Sequence, residues 1–294
     1  ANFEVIDGTN ASIEKKISLS RDVDAWLIRS GTTINKKAID RAQKLKIIGR
    51  AGVGVDNIDI ECATKRGIVV TNTPDVNTTS ACEHTIALML TLSRNISLGD
   101  QSIKIGNWNR NELIGTELRS KTIGIIGMGK IGRELMKRCL SFDMKILAYD
   151  PYVNKKLIER EDVVLVSLDE LFSNSDFIST HVPLNDNTRD LINKESFSLM
   201  KSSVRIINVA RGGIINEQDL ADALKNNKIA GAAIDVFSKE PIETNNPLIN
   251  APNVILTPHL GASTEEAKKG VSTAICKQVI DYLLNDKISN ALNF

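Results

Sequence analysis

The sequence offers three imidazoles for proton transfer near neutral pH: His84, His181 and His259. His259 stands in the run TPHLGAST, with Pro258 before it and Gly261 shortly after. His84 lies inside a helical pattern, where a packed or solvated histidine is the ordinary role, and His181 ends an apolar run. Position alone leaves His259 a candidate base and no more. Arg211 follows an apolar run in NVARGG, and Glu240 does the same in DVFSKEP. An arginine so placed can hold a carboxylate through two parallel hydrogen bonds. A carboxylate beside an imidazole fixes its tautomer and raises its pKa. Each of these two alone is also a common surface ion-pair residue. With His259 they form a set able to move a proton at an alcohol or carbonyl oxygen while a carboxylate is held.

A second constellation is the run TIGIIGMGKIGR, which places Gly127, Gly129 and Gly132 between a strand pattern and a helix pattern. Such a G-x-G-x-x-G turn is weak evidence alone. Here Asp150 ends the next strand pattern, 18 residues past Gly132, which is the setting of a dinucleotide fold. Gly127 permits the tight turn, Gly129 lets backbone approach a pyrophosphate, and Gly132 lets the helix pack on the strand. The helix N-terminus offers unpaired N–H groups to phosphate. Asp150 can accept from both ribose hydroxyls and would repel a 2′-phosphate, so the pattern favours NAD over NADP.

These residues need elements to carry them. Short β-branched runs alternate with amphipathic helix patterns through most of the chain, which predicts an α/β fold with parallel sheets. Strands are expected at 3–7, 25–30, 46–50 and 68–72, with helices at 35–43 and 57–66 between them. A long helix over 78–96 reads as a connector. Strands follow at 122–126, 145–149, 163–166, 177–181, 205–209, 230–236 and 254–257, with helices at 130–142 and 217–226 among them. A final helix over 264–285 is long enough to return to the first part. Arg211, Glu240, His259 and Gly129 then share the C-terminal edge of one sheet, where open α/β sheets bind ligands.

Composition narrows the class. The chain has 294 residues, enough for two domains, with 42% hydrophobic and 25% charged residues. A formal net charge of +1 gives no field for nucleic acid. Cys62, Cys82, Cys139 and Cys276 have neither zinc nor disulfide spacing; they read as buried reduced thiols of a reducing compartment, and no metal is expected. No apolar run is long enough for a membrane span, and no signal pattern opens the chain. Ala1 leads with no initiator Met.

GMGKIG…YDP, NVARGGIINE, AAIDVFSKEP and TPHLGAST, in this order, resemble the D-isomer-specific 2-hydroxyacid dehydrogenase family over nearly the whole chain. The resemblance implies two Rossmann-like doubly wound domains. One is a flavodoxin-like substrate-binding domain (1–73 and 263–294), and the other is an NAD-binding Rossmann domain (74–262). It makes Arg211, Glu240 and His259 catalytic. Besides the glycine turn it implies cofactor contacts at Val53, Lys130, Ile131, Asp150 and Val182, and at Val209, Ala210 and Arg211. Asp235, His259, Gly261 and Ala262 complete that set. LIRSGTTI, GRAGVGVDNID, VTNTPDVNTTSACEH and WNRNELIGTEL are most similar to the branch that oxidises 3-phospho-D-glycerate to 3-phosphohydroxypyruvate, a step of L-serine biosynthesis. That branch implies substrate contacts at Arg29, Ser30 and Asn77, with Arg50 and Arg110 nearby. It also implies that Gly52, Val53, Arg211 and His259 hold the reacting end. Several arginines suit a substrate with a carboxylate and a phosphate.

The resemblance further implies a cytoplasmic enzyme that is a homodimer through the NAD-binding domain, with 98–116 as an exchanged arm, and no nucleic-acid or membrane partner. Val182 departs from the family's hydroxyl or cysteine, which removes any side-chain hydrogen bond there. Most of the family's opening strand, turn and helix is missing before Asn2, and no serine-binding regulatory domain follows Phe294, so inhibition by serine is not expected. Two other readings stay open. A glyoxylate or hydroxypyruvate reductase would need neither Arg29 nor Arg110. A non-catalytic, NAD-sensing corepressor would need no catalytic set.

Overall fold

The computed structural model describes residues 3–9, 11–154, 156 and 162–294. They form two compact units, Ala1–Asn77 with Thr264–Phe294, and Thr78–Ser263. The divisions lie at 77/78 and 263/264, against 73/74 and 262/263 in the sequence pattern.

The first unit runs α1 (Ile13–Leu19), β1 (Ala25–Ile28), α2 (Lys36–Arg41), β2 (Ile47–Arg50), α3 (Ile60–Lys65) and β3 (Val69–Thr71), and ends with α10 (Glu265–Asn285). Its three strands are parallel and adjacent in chain order. The central strand is covered on both faces. Ile48 packs with Ile39, Ile58 and Ala63 on the side of α2 and α3, while Ile47 packs with Val69 and with Val279 of α10. A Cβ on Gly49 would lie 2.8 Å from both Ile275 and Val279. Glycine there lets α10 lie directly on the sheet. The last residues close the edge of β3: Thr71 bridges Ala291, Leu292 N–H donates to the Val70 carbonyl, and Val70 N–H donates to Asn293 Oδ1 (2.9 Å each).

The expected strand at 3–7 does not form. Its residues join no ladder, and Phe3, Val5 and Ile6 are exposed. Apolar alternation makes a strand only where a sheet edge accepts its hydrogen bonds. The helix α1 had no expectation in the sequence.

The second unit opens with α4 (Thr78–Arg94) and α5 (Ile96–Lys104) and continues β4 (Thr122–Ile126), α6 (Lys130–Leu140), β5 (Lys145–Tyr149) and β6 (Val163–Leu165). Then come α7 (Leu168–Asn174), β7 (Phe177–Thr180), α8 (Lys194–Leu199), β8 (Arg205–Asn208), α9 (Glu217–Lys225), β9 (Gly231–Ile234) and β10 (Val254–Leu256). All seven strands are parallel, in the order β10-β9-β8-β7-β4-β5-β6. The chain winds outward from β4 in one direction and then from β7 in the other. The reversal between β4 and β7 is the switch point at which doubly wound sheets bind ligands. One face packs Ile123, Ile125, Phe177 and Ile207 with Met89 of α4 and Leu135 of α6. The other packs Ile126, Ile178, Ile206 and Ile234 with Leu171, Phe197 and Leu220 of α7, α8 and α9. Burial on both faces explains why these strands read as continuous apolar runs.

Element ends differ from the expected ones by at most three residues, with one change of kind. The connector helix stops at Arg94, because Asn95 is left-handed (φ 52°) and α5 starts anew. Asparagine tolerates that conformation. Thr116 N–H then returns to the Ser93 carbonyl (2.8 Å), which anchors 96–116 at the end of α4. All four cysteines are free. Burial pushes the Cys82 thiol up to about 11 and that of Cys139 to about 12. Cys62 and Cys276 are only half-buried, where the pattern suggested burial. Among the described residues no helix is long and apolar enough to cross a membrane.

Candidate active site

The glycine turn leaves β4 beside the switch point. Gly127 has φ 96°, and its N–H donates to the Tyr149 carbonyl (2.8 Å). A Cβ there would lie 2.6 Å from the His181 carbonyl oxygen, and one on Gly132 would lie 2.1 Å from the Gly127 carbonyl oxygen. Both positions are closed to side chains by backbone. Gly129 is the opposite case, since a Cβ there meets nothing within 4 Å. It is the residue before α6, and no side chain caps that helix. A helix start with no cap from its own N-cap residue offers N–H groups that a phosphate can meet. Asp150 accepts from Met128 N–H and Tyr152 N–H (2.8 Å each) at the end of β5. Each carboxylate oxygen keeps a lone pair for a sugar hydroxyl. Lys130 is exposed beside the turn and Ile131 half-buried. The residues present fit a dinucleotide on this edge.

His181 follows β7, with its carbonyl beside the same turn. Its Nε2 pairs with Ser179 Oγ (2.8 Å), and burial pulls its pKa down to about 4. Val182 follows it, with Cγ1 2.9 Å from the Cβ position of Gly127.

Arg211, Glu240 and His259 come together at the ends of β8, β9 and β10. His259 Nδ1 and Glu240 Oε2 are 2.7 Å apart, and Glu240 Oε1 accepts from Phe237 N–H (3.0 Å). Since the carboxylate only accepts, Nδ1 carries the hydrogen and Nε2 is left to exchange a proton. The Glu240 bond raises the His259 pKa above its usual value; burial opposes it, the charges of Glu240 and Asp235 add to it, and the Arg211 guanidinium opposes it. For Glu240, burial pushes upward, but the His259 and Phe237 hydrogen bonds win and hold the carboxyl below its usual range. Gly212 brings the Arg211 loop against its neighbour: a Cβ there would sit 1.9 Å from the Phe237 carbonyl oxygen. His259 itself is left-handed (φ 54°), a conformation that a non-glycine residue holds only when its surroundings impose it.

The surroundings that impose it went unread in the sequence. Asp235, expected to touch the cofactor, is fully buried, and its carboxylate accepts from Thr257 Oγ1 (2.5 Å), Leu260 N–H (2.8 Å) and Gly261 N–H (2.8 Å). Its backbone carbonyl accepts from His259 N–H (2.8 Å). The structure thus gives Asp235 the task of holding the His259 loop. Burial pushes its pKa up, but the donors prevail and hold it below the carboxylate range. Asn208, buried at the end of β8, similarly clamps the Arg211 turn: its Oδ1 accepts from Ala210 N–H (3.0 Å) and Thr180 Oγ1 (2.9 Å), and its Nδ2 donates to the Arg211 carbonyl (2.9 Å). Val209, beyond β8, sets its Cγ1 2.7 Å from the Cβ position of Gly261. Ala262 is half-buried beside it.

In the first unit Arg29 and Ser30 lie exposed just past β1, and Arg50 ends β2. The loop after β2 is pinned to the segment after β3. Gly52 N–H donates to Thr73 Oγ1 (2.8 Å), Thr73 N–H to the Gly52 carbonyl (3.0 Å), and Asn72 Nδ2 to the Val53 carbonyl (2.7 Å). The Arg50 guanidinium lies over Gly52, where a Cβ would sit 1.6 Å from Nη1. Asn77 has a buried Oδ1 with no hydrogen-bond partner among the described residues. Arg110 lies in a single 3-10 turn, Arg110–Glu112, of the second unit's exposed arm.

The chain is similar to known proteins over most of its length. The chain is 46% identical over 99% of its length to D-3-phosphoglycerate dehydrogenase of Methanocaldococcus jannaschii, and 47% identical over 99% to that of Archaeoglobus fulgidus. It spans about half the length of these curated relatives, 55% of each. Among solved structures, a D-lactate dehydrogenase from Aquifex aeolicus complexed with NAD and lactic acid superposes with a TM-score of 0.86 at 30% identity, over 95% of this chain and 89% of that one. Residues 86–261 match the NAD binding domain of the D-isomer specific 2-hydroxyacid dehydrogenases. The chain belongs to that family.

Proposed function

We propose that the chain catalyses NAD-dependent oxidation of 3-phospho-D-glycerate to 3-phosphohydroxypyruvate, in the cytoplasm and as a step toward L-serine. The observation that carries the reading is the 2.7 Å pair of His259 Nδ1 and Glu240 Oε2, on the same sheet edge as Arg211 and the glycine turn. Bound NAD supplies the hydride acceptor. His259 Nε2 takes the proton of the C2 hydroxyl, and Glu240 stabilises the imidazolium that results. Arg211 holds the carboxylate and polarises the C2 oxygen. Arg29, Arg50 and Arg110 supply the cations that a phosphate requires, and Asp150 selects NAD over NADP. The names of the two archaeal relatives support the phosphorylated substrate.

Steady-state kinetics with 3-phosphoglycerate and glycerate, each with NAD⁺ and NADP⁺, test this. Charge-assisted hydrogen bonds to the phosphate should favour 3-phosphoglycerate by about 10²-fold or more in kcat/KM, with NAD⁺ preferred, and Arg29→Ala should erode that ratio. Equal rates with glycerate would favour the reductase reading. NAD binding without hydride transfer to any D-2-hydroxy acid would favour the corepressor reading.

We further propose that the chain is a homodimer through the second unit's arm. Ile96, Leu98, Ile103, Ile105, Trp108 and Ile114 are all exposed on that one segment, and grouped apolar side chains on a surface mark an interface. Sedimentation equilibrium should give two chains for the wild type and one for Trp108→Glu. A single-chain wild type would end the idea.

A further inference from the structure

We infer that His84 is a positioning residue for the catalytic base, acting through Asp235. His84 lies on α4, and its Nε2 is 3.2 Å from Asp235 Oδ1 and 3.4 Å from Thr257 Oγ1. Asp235 is fully buried, so its charge must be met by donors on the spot. The other donors to its carboxylate are Thr257 Oγ1, Leu260 N–H and Gly261 N–H, all on the segment that carries His259. That segment and the carboxylate hold each other. His84 is the donor that comes from a different element, a helix lying against β8 and β9. It therefore ties the whole arrangement to the rigid face of the sheet. Because a carboxylate only accepts, Nε2 carries a hydrogen in this contact. His259 sits left-handed between Thr257 and Leu260, and its N–H is bound to the Asp235 carbonyl. A shift of Asp235 moves the residues on both sides of His259 together, and a small displacement of a base costs rate strongly.

The inference rests on the proposed role of His259, and two variants with two readouts separate its failure from the failure of that role. His84→Leu keeps bulk without a donor, and His84→Gln restores an N–H close to the place of Nε2. In the cofactor-free protein, amide hydrogen exchange at Leu260 and Gly261 should quicken about tenfold in His84→Leu, the effect of losing one hydrogen bond to a charged group. It should return to near the wild-type rate in His84→Gln, while exchange at Ile125 in β4 stays unchanged in both. With NAD⁺ and substrate, kcat should fall by a similar factor in His84→Leu and recover in His84→Gln. Unchanged exchange at Leu260 and Gly261, or no recovery in His84→Gln, overturns the inference. So does a His84→Leu chain that fails to fold, since the role would then not be confined to the loop. A wild type that transfers no hydride defeats the proposed role of His259, while the exchange rates still decide on His84.

Discussion

His259→Asn lowers kcat by about 10²–10⁴-fold, the range that a positioned proton acceptor contributes, and leaves the fold intact. Asparagine is the right replacement because residue 259 is left-handed (φ 54°), and asparagine accepts that conformation where most residues strain. Thermal melting should stay close to wild type; turnover within a few-fold of wild type would sink the assignment. The pH profile adds a signed test. The Glu240 bond raises the His259 pKa, so the unprotonated base that oxidation needs accumulates only as pH rises past a midpoint above 6.5. Oxidation then climbs through that midpoint, and the reverse reduction falls through it. Glu240→Gln removes the largest raising influence, and the midpoint should drop.

Arg211→Met should lower kcat/KM for the 2-hydroxy acid by about 10²–10⁴-fold, the loss of two hydrogen bonds between charged groups at roughly 1.5–3 kcal/mol each. Arg211→Lys keeps the charge and loses the fork, so it should fall between. The guanidinium also pulls the His259 pKa down. Removing it should therefore raise the pH midpoint, opposite in sign to Glu240→Gln. Equal kcat/KM for Arg211→Lys and wild type would mean that the arginine supplies charge alone. A midpoint that fell in Arg211→Met would refute the proximity of the two side chains.

Much of this site was legible because its signals are local. Gly127, Gly129, Gly132 and Asp150 lie within one strand-turn-helix-strand stretch, and buried parallel strands announce themselves as apolar runs. Arg211, Glu240 and His259 each follow such a run, so a shared sheet edge could be expected before any coordinates. What stayed hidden depends on distant partners. His84 reads as a packed helix residue until Asp235, 151 residues later in the chain, is found beside its ring. Asp235 reads only as a ligand contact in the sequence, and its burial and its loop donors show that it also holds the His259 loop. Asn208 and Thr73 look like ordinary strand-end polar residues, and only the neighbouring loops reveal them as clamps. The failed strand at 3–7 is the same lesson reversed, a local pattern without the partner that would make it true.

The tail that closes the edge of β3 has a consequence for the order of synthesis. Val70 meets Leu292 and Asn293, and Gly49 meets Ile275, across the entire sequence of the second unit. Residues 78–263 can fold once they have left the ribosome, because every strand of their sheet lies within them. The first unit must wait until residues 264–294 have been made, with one face of β2 and the edge of β3 uncovered in the interval. An unpaired strand edge beside bare apolar surface is the usual template for aggregation. The nascent chain is thus vulnerable in its first unit, and residues 286–294 end that exposure.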